Sequence, residues 1–164
     1  MESFRKNQLE KAVGHNLHFC QENQAQSSYG VIRGLHYQMP PYAQSKLVTV
    51  LQGEVLDIVV DIRKGSPNFG NHLAIELNGI NQKQLYIPRG FAHGYSCLSE
   101  NAILSYKVDN YYNKDSEESI SFDDPELGID WKIPQELQKI SSKDFHHPIF
   151  SAAQHFDYNQ PLYD

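Results

Sequence analysis

Cysteine, positive charge and long apolar runs are all scarce in this sequence. Cys20 and Cys97 are the only cysteines in 164 residues, far apart and in no CxxC arrangement. That excludes a disulfide framework and marks them as buried thiols of a reducing compartment. Lys and Arg number 14 against 20 Asp and Glu, giving a net charge of −6 and a pI near 5.7. Such a balance argues against a general nucleic-acid binder and leaves room for a local basic pocket around one phosphorylated ligand. No apolar run reaches the roughly 18 residues of a membrane span, and no charged-then-apolar leader is visible, so neither a span nor a secretory signal is expected. The expected location is the cytoplasm. Repeats, low-complexity stretches and interdomain linkers are missing too. A single domain over residues 1–164 is expected, long enough to bury a core without a metal or disulfide to support it.

What the chain does contain is a succession of short β-rich runs. A helix over residues 3–13 is stopped by Gly14. From His18 to Gln26 the chain is polar and extended. A strand over 30–38 ends at Met39-Pro40-Pro41, because proline donates no ladder hydrogen bond. Further strands are predicted over 46–51, 54–62, 72–77, 84–88, 92–98 and 102–108, with a brief helix over 135–140 and an aperiodic aromatic tail from 145 to 164. Many short strands with regular turns and little helix define an all-β sandwich or barrel.

Polar groups inside these runs point to a site. Gln52-Gly53 reads as a two-residue hairpin turn pairing Leu51 with Glu54 and Val48 with Asp57. Period-2 alternation then gathers Lys46, Val48, Val50, Val55, Asp57, Val59 and Asp61 on one face, and Leu47, Thr49, Leu51, Leu56, Ile58, Val60 and Ile62 on a core face. Charges on an apolar face are normally paired or functional. The segments 30–38 and 87–95 each mix glycine, aromatics and one histidine, and read as opposite walls of one pocket. Arg33 and His36, three apart, should face opposite ways on a regular strand. A bulge at Gly34 would bring both to the pocket.

Taken together, Gly34-Leu35-His36-Tyr37-Gln38, Lys46-Leu47-Val48, Val60-Asp61-Ile62-Arg63 with Ser66-Pro67 and Phe69-Gly70, Ile87-Pro88-Arg89-Gly90-Phe91-Ala92-His93-Gly94, and Tyr106-Lys107 resemble the dTDP-4-dehydrorhamnose 3,5-epimerase family. The ordered set spans roughly residues 21–144. The resemblance implies a cupin-type jelly roll, usually homodimeric with strand exchange at the N-terminus. Family members usually begin with an additional strand and an Asp-x-Arg-Gly-like segment. Met1-Glu2-Ser3-Phe4 resembles the stretch just after it, so that strand is expected to be missing here.

The implied reaction inverts carbons next to a ketone in a dTDP-4-keto-6-deoxyhexose, and such chemistry needs a base, an acid on the opposite face and a cation at the enolate oxygen. By resemblance His36 is the base and Asp144 its orienting carboxylate. Lys46 stabilises the enolate, and Tyr106, a phenol with an ordinary pKa of about 10, is the acid. Arg33 is the candidate for a sugar hydroxyl or the diphosphate. Gln21, Asn23 and His93 are candidates for the sugar site, Asp57 for holding Lys46, and Tyr112 for stacking on thymine. Alone, each histidine or tyrosine would pass as structural; Lys46 on a valine-rich face would not. Asp123, Asp124, Glu117 and Glu118 read as a solvated loop, and His146-His147 as surface. Metal-dependent cupins carry a His-x-His pair, whereas this chain has His36-Tyr37-Gln38. With His36 and His93 the only pocket histidines, no metal and no cofactor is expected. Epimerisation at a single carbon and a catalytically silent nucleotide-sugar-binding cupin remain the alternatives.

Overall fold

The computed structural model describes residues 2–163. Helix α1 (Lys6–Val13) ends at Gly14, whose φ of 81° lets its N–H return to the Glu10 carbonyl. The rest is strand and loop: β1 (Gln21–Ser28), β2 (Val31–Gln38), β3 (Lys46–Gln52), β4 (Glu54–Asp61), β5 (Arg63–Lys64), β6 (His72–Asn78), β7 (Gln84–Ile87), β8 (Phe91–Cys97), β9 (Asn101–Val108), β10 (Glu117–Ser119), β11 (Lys139–Ile140) and β12 (Phe156–Asp157). One sheet runs β1-β9-β3-β7 and a second runs β10-β2-β8-β4-β6, with β11 added to β2. Apart from that parallel addition, every pair in these two sheets is antiparallel. Two facing antiparallel sheets with chain crossovers between them make the expected jelly roll of cupin type. Among the described residues no helix is long and apolar enough to cross a membrane.

The hairpin expected at Gln52-Gly53 does not form. β3 bonds to β7 and β9, whereas β4 bonds to β6 and β8, so the chain changes sheets at Gly53. Gly53 has a φ of 76°, and a Cβ there would stand 2.1 Å from the Asn101 carbonyl oxygen. The expected faces survive for a different reason. Val48 and Val50 of one sheet meet Val55 and Val59 of the other across the interior, with Tyr95, Cys97 and Leu104 around them. Leu56, Ile58, Val60 and Ile62 point the other way into a second core, but Leu51 on the outer face of the first sheet is exposed. Asp61 leaves the pocket face as well. Its carboxylate accepts from Arg63 Nε at 2.9 Å, Arg63 Nη2 at 2.7 Å and Ser66 Oγ at 2.7 Å, closing the turn after β4.

The second core explains the aperiodic C-terminal third. Residues after β9 lay Ile120, Phe122, Leu127, Trp131, Phe150 and Phe156 over the outer face of the β4-containing sheet, so β4 is buried on both sides and its sequence is apolar on both parities. Asp124 is not a solvated loop residue. It is buried, and its carboxylate accepts from the N–H groups of Glu126 at 2.8 Å, Leu127 at 3.0 Å and Phe150 at 2.6 Å. The helix expected over 135–140 shrinks to a 3₁₀ turn, Gln135–Leu137. Extended pairing to β2 takes over, with the Lys139 N–H donating to the Gly30 carbonyl at 2.8 Å.

At Gly34 the register of β2 against β8 shifts between Arg33 and His36, the bulge that the parity of those two side chains requires. Gly34 has a φ of 127°, and a Cβ on it would lie 2.5 Å from Gly94 Cα and 2.9 Å from the His93 carbonyl oxygen. Neither backbone atom has room to retreat. Gly34→Ala is therefore expected to destabilise the fold by about 3 kcal/mol or more, read as a lower urea midpoint with an unchanged slope.

Candidate active site

A cavity of about 810 Å³ lies between the two sheets, lined by residues of both. β2 and β8 are not its opposite walls. They are hydrogen-bonded neighbours, with His36 directly across from His93, and the opposing wall is the facing sheet. That sheet contributes Gln21 and Asn23 from β1, Lys46 from β3 and Tyr106 from β9. Alternation explains the selection: Asn23 pairs with Tyr106 and Val48 pairs with Tyr106, so these side chains share the inward face of three adjacent strands.

Of the expected site residues all but Asp57 line the cavity. His36 Nε2 lies 3.2 Å from Asp144 Oδ1. Asp144 reaches it from a short turn in which its own N–H donates to the Ser141 carbonyl at 3.0 Å and Oγ at 3.2 Å. Burial works against ionisation of Asp144, yet the hydrogen bond and charge of His36, helped by Ser141, hold its carboxyl below the usual range. A neutral imidazole facing a carboxylate keeps its proton on that side, which leaves the other ring nitrogen with a lone pair. Nδ1 of His36 has no hydrogen-bond partner.

Lys46 lines the cavity wall and is half-buried there. Burial pushes its ammonium down to about 8, against the opposing pull of Asp57 and Glu117. Asp57 does not hold Lys46 by a hydrogen bond. It is fully buried behind the cavity wall, where His93 Nε2–H donates to its carboxylate at 2.9 and 3.0 Å. Asp57 lies opposite Tyr95 and His93 opposite Val59, so the two side chains meet diagonally across neighbouring strands β4 and β8, a contact visible only once those strands are adjacent. The result is a second His–Asp pair beside the first. Tyr106 is kept protonated, since burial pushes its phenol up further than nearby Arg33 brings it down. Arg33 is exposed at the cavity wall, its Nη2 3.3 Å from the Gln26 carbonyl. At the mouth Gln21 Nε2 donates to Asn23 Oδ1 at 2.8 Å, and Tyr112 Oη donates to Glu117 Oε2 at 3.0 Å.

Three groups escaped the sequence reading. Glu117 sits on β10 and accepts from Lys143 Nζ at 2.7 Å, tying the Asp144 turn to the sheet that carries His36. Burial resists its ionisation, but Lys143 and Tyr112 keep the carboxyl low. The sequence signal was the immediate neighbourhood of Lys143 and Asp144. His147 is the third: its side chain is 7% exposed, and Nε2 stands 3.7 Å from Asp144 Oδ1. Its ring meets that of His36 edge-on, with centroids 5.2 Å apart. The expected surface position is thus overturned for His147, because the 3₁₀ turn starting at Asp144 brings residues three apart to one side. The cavity lining still holds two histidines, His36 and His93, with His147 packed beside the first of them.

A jelly roll whose facing sheets surround one cavity with a His–Asp pair, a half-buried lysine and a protonated tyrosine defines the class by its fold, a cupin. The sequence model of the dTDP-4-dehydrorhamnose 3,5-epimerase family matches residues 1–152. The dTDP-4-dehydrorhamnose 3,5-epimerase of Shigella flexneri is 46% identical over 156 residues, covering 95% of this chain and 85% of that protein. The crystal structure of the enzyme of that name from Elizabethkingia anophelis superposes with a TM-score of 0.88 at 49% identity, covering 92% of this chain and 82% of that one. A dTDP-6-deoxy-D-glucose-3,5-epimerase of Legionella pneumophila, in complex with dTDP-4-keto-L-rhamnose, does so with a TM-score of 0.92 at 42% identity, covering 97% and 85%. This chain belongs to the dTDP-4-dehydrorhamnose 3,5-epimerase family.

Proposed function

We propose that this chain epimerises dTDP-4-dehydro-6-deoxy-D-glucose at C3 and C5 to dTDP-4-dehydro-L-rhamnose. The observation that carries the reading is the division of labour between the sheets: His36, with Asp144 against it from a neighbouring turn, stands on one, Tyr106 and Lys46 on the other. Protons next to the C4 ketone are acidic because the carbanion left behind delocalises onto oxygen. His36 removes such a proton, and Asp144 stabilises the imidazolium that forms. Lys46, as an ammonium, stabilises the developing enolate oxygen. Tyr106 gives a proton to the opposite face of the same carbon, which inverts it; solvent then takes the proton from His36 and replaces the one lost by Tyr106, and the second carbon is inverted by the same cycle. No electrons are gained or lost. Arg33 pairs with the diphosphate or a sugar hydroxyl, Gln21, Asn23 and His93 line the sugar, and Tyr112 stacks on thymine. A homodimer belongs to the same reading and is tested by light scattering on the purified chain.

The direct test is proton NMR of dTDP-4-keto-6-deoxyglucose with the protein in deuterated water. Deuterium at both C3 and C5 with new stereochemistry is expected. Label at one carbon selects a single-site epimerase, and tight binding without label selects a silent binding module. In the same assay Tyr106→Phe is expected to retain deuterium wash-in while forming inverted product about 100-fold more slowly. Full inversion by that variant would remove Tyr106 from the role of acid.

A further inference from the structure

Beside the proposed base lies a set of metal donors to which proton transfer assigns no joint role. His36, Asp144 and His147 each offer one ligand atom, and these atoms all lie within 4.8 Å of one another. Among the described residues it is the one group of three such side chains. We infer that this trio binds Zn²⁺, or a similar late first-row divalent cation, and that occupancy shuts down the site by capturing His36. The inhibitory half rests on the reading of His36 as the base.

The geometry suits a small tetrahedral ion. Metal–ligand bonds of about 2.1 Å put neighbouring donors about 3.4 Å apart in a tetrahedral shell. Asp144 Oδ1 stands 3.2 Å from His36 Nε2 and 3.7 Å from His147 Nε2, on either side of that value. The 4.8 Å ceiling on the remaining separation leaves side-chain rotation to close the triangle. Two imidazoles and a carboxylate match zinc, copper or nickel, whereas magnesium and calcium want a shell of oxygens. Three protein donors leave a fourth position for water.

The same contacts explain why binding inhibits and why it is reversible. When Nε2 of His36 takes a metal, the ring proton must reside on Nδ1, so no lone pair remains to accept a proton from carbon. His147 closes the site without itself being asked to touch the sugar. Metal-bound imidazoles ordinarily donate their second N–H to an acceptor, but Nδ1 of His36 and Nδ1 of His147 both lack partners. A site without those supports holds its ion weakly enough for a chelator to remove it.

The test uses the full chain stripped with EDTA. Calorimetric titration with zinc chloride is expected to give one ion per chain, weakened about 100-fold or more in His147→Ala. His147→Gln, which keeps more of the side-chain volume, is expected to weaken it likewise. Zinc should stop deuterium wash-in by the parent, EDTA should restore it, and each His147 variant should keep its own zinc-free rate when zinc is added. Equal zinc affinity in parent and both variants would overturn the site. Zinc held through His147 with wash-in undiminished would overturn the inhibition. A zinc-free parent that exchanges no proton would defeat the epimerase reading, and the inhibitory role with it, while the titration still decides the site.

Discussion

His36→Ala is expected to lower turnover about 1,000-fold or more and to abolish deuterium wash-in at both carbons. The loss has a stereochemical as well as an energetic cause. Tyr106 stays protonated through burial, so it offers a proton and no lone pair basic enough to take one from carbon. Lys46 stands on the same sheet as Tyr106 and is needed as a cation. With His36 gone, its side of the cavity keeps Asp144, which loses the contact that held its carboxyl low, and His93, which is tied to the carboxylate of Asp57. Asp144→Asn separates positioning from basicity: it leaves the ring in place, removes the charge that favours the imidazolium, and should reduce turnover by less than His36→Ala. The measurement is single-turnover wash-in by NMR across pH. Wash-in by His36→Ala at the parental rate would transfer the base to another group, with His93 the first to examine.

Lys46→Met is expected to cost about 100- to 1,000-fold in kcat, the scale of one lost donor at a developing oxyanion. It carries a pH signature that a packing defect would not. Burial brings the ammonium down to about 8, so kcat/KM of the parent should fall as pH rises through about 8, and the methionine variant, already slow, should lose that alkaline limb. Stability moves the opposite way. The folded state disfavours the charged lysine, a penalty present below about pH 8 and relieved as pH rises from there toward the ordinary lysine value of 10.5. Lys46→Met removes the buried charge and should raise stability at pH 7 by about 2 kcal/mol, read by urea denaturation. A variant that is less stable and keeps the alkaline limb would show Lys46 to be a structural residue.

Much of this site was legible in the chain itself. Lys46 among valines, Arg33 and His36 on either side of a glycine, and the β-rich runs with their turns declared a sheet with charges on its inner face, because side-chain alternation is local and survives any arrangement of neighbours. Gly34 announced its bulge through the parity of two residues three apart. Alternation says which face a residue takes and nothing about which strand lies beside it. That is why the Gln52-Gly53 hairpin failed: β3 and β4 present the expected faces to one another across the interior from separate sheets.

Strand partners, and everything that follows from them, were decided by tertiary structure. Asp57 was expected beside Lys46 and instead took His93, because β4 pairs with β8. Asp124 looked like one acid in a solvated loop until the C-terminal third folded over the sheet and three backbone N–H groups turned toward it. His147 looked like surface until a 3₁₀ turn swung it beside Asp144. Local sequence determined the element types, their inward faces and the chemical character of the cavity, since each depends on residues a few positions apart. Which carboxylate serves which histidine, and that a third imidazole joins the pair, depend on burying apolar surface between segments a hundred residues apart, and that is settled only when the whole chain packs.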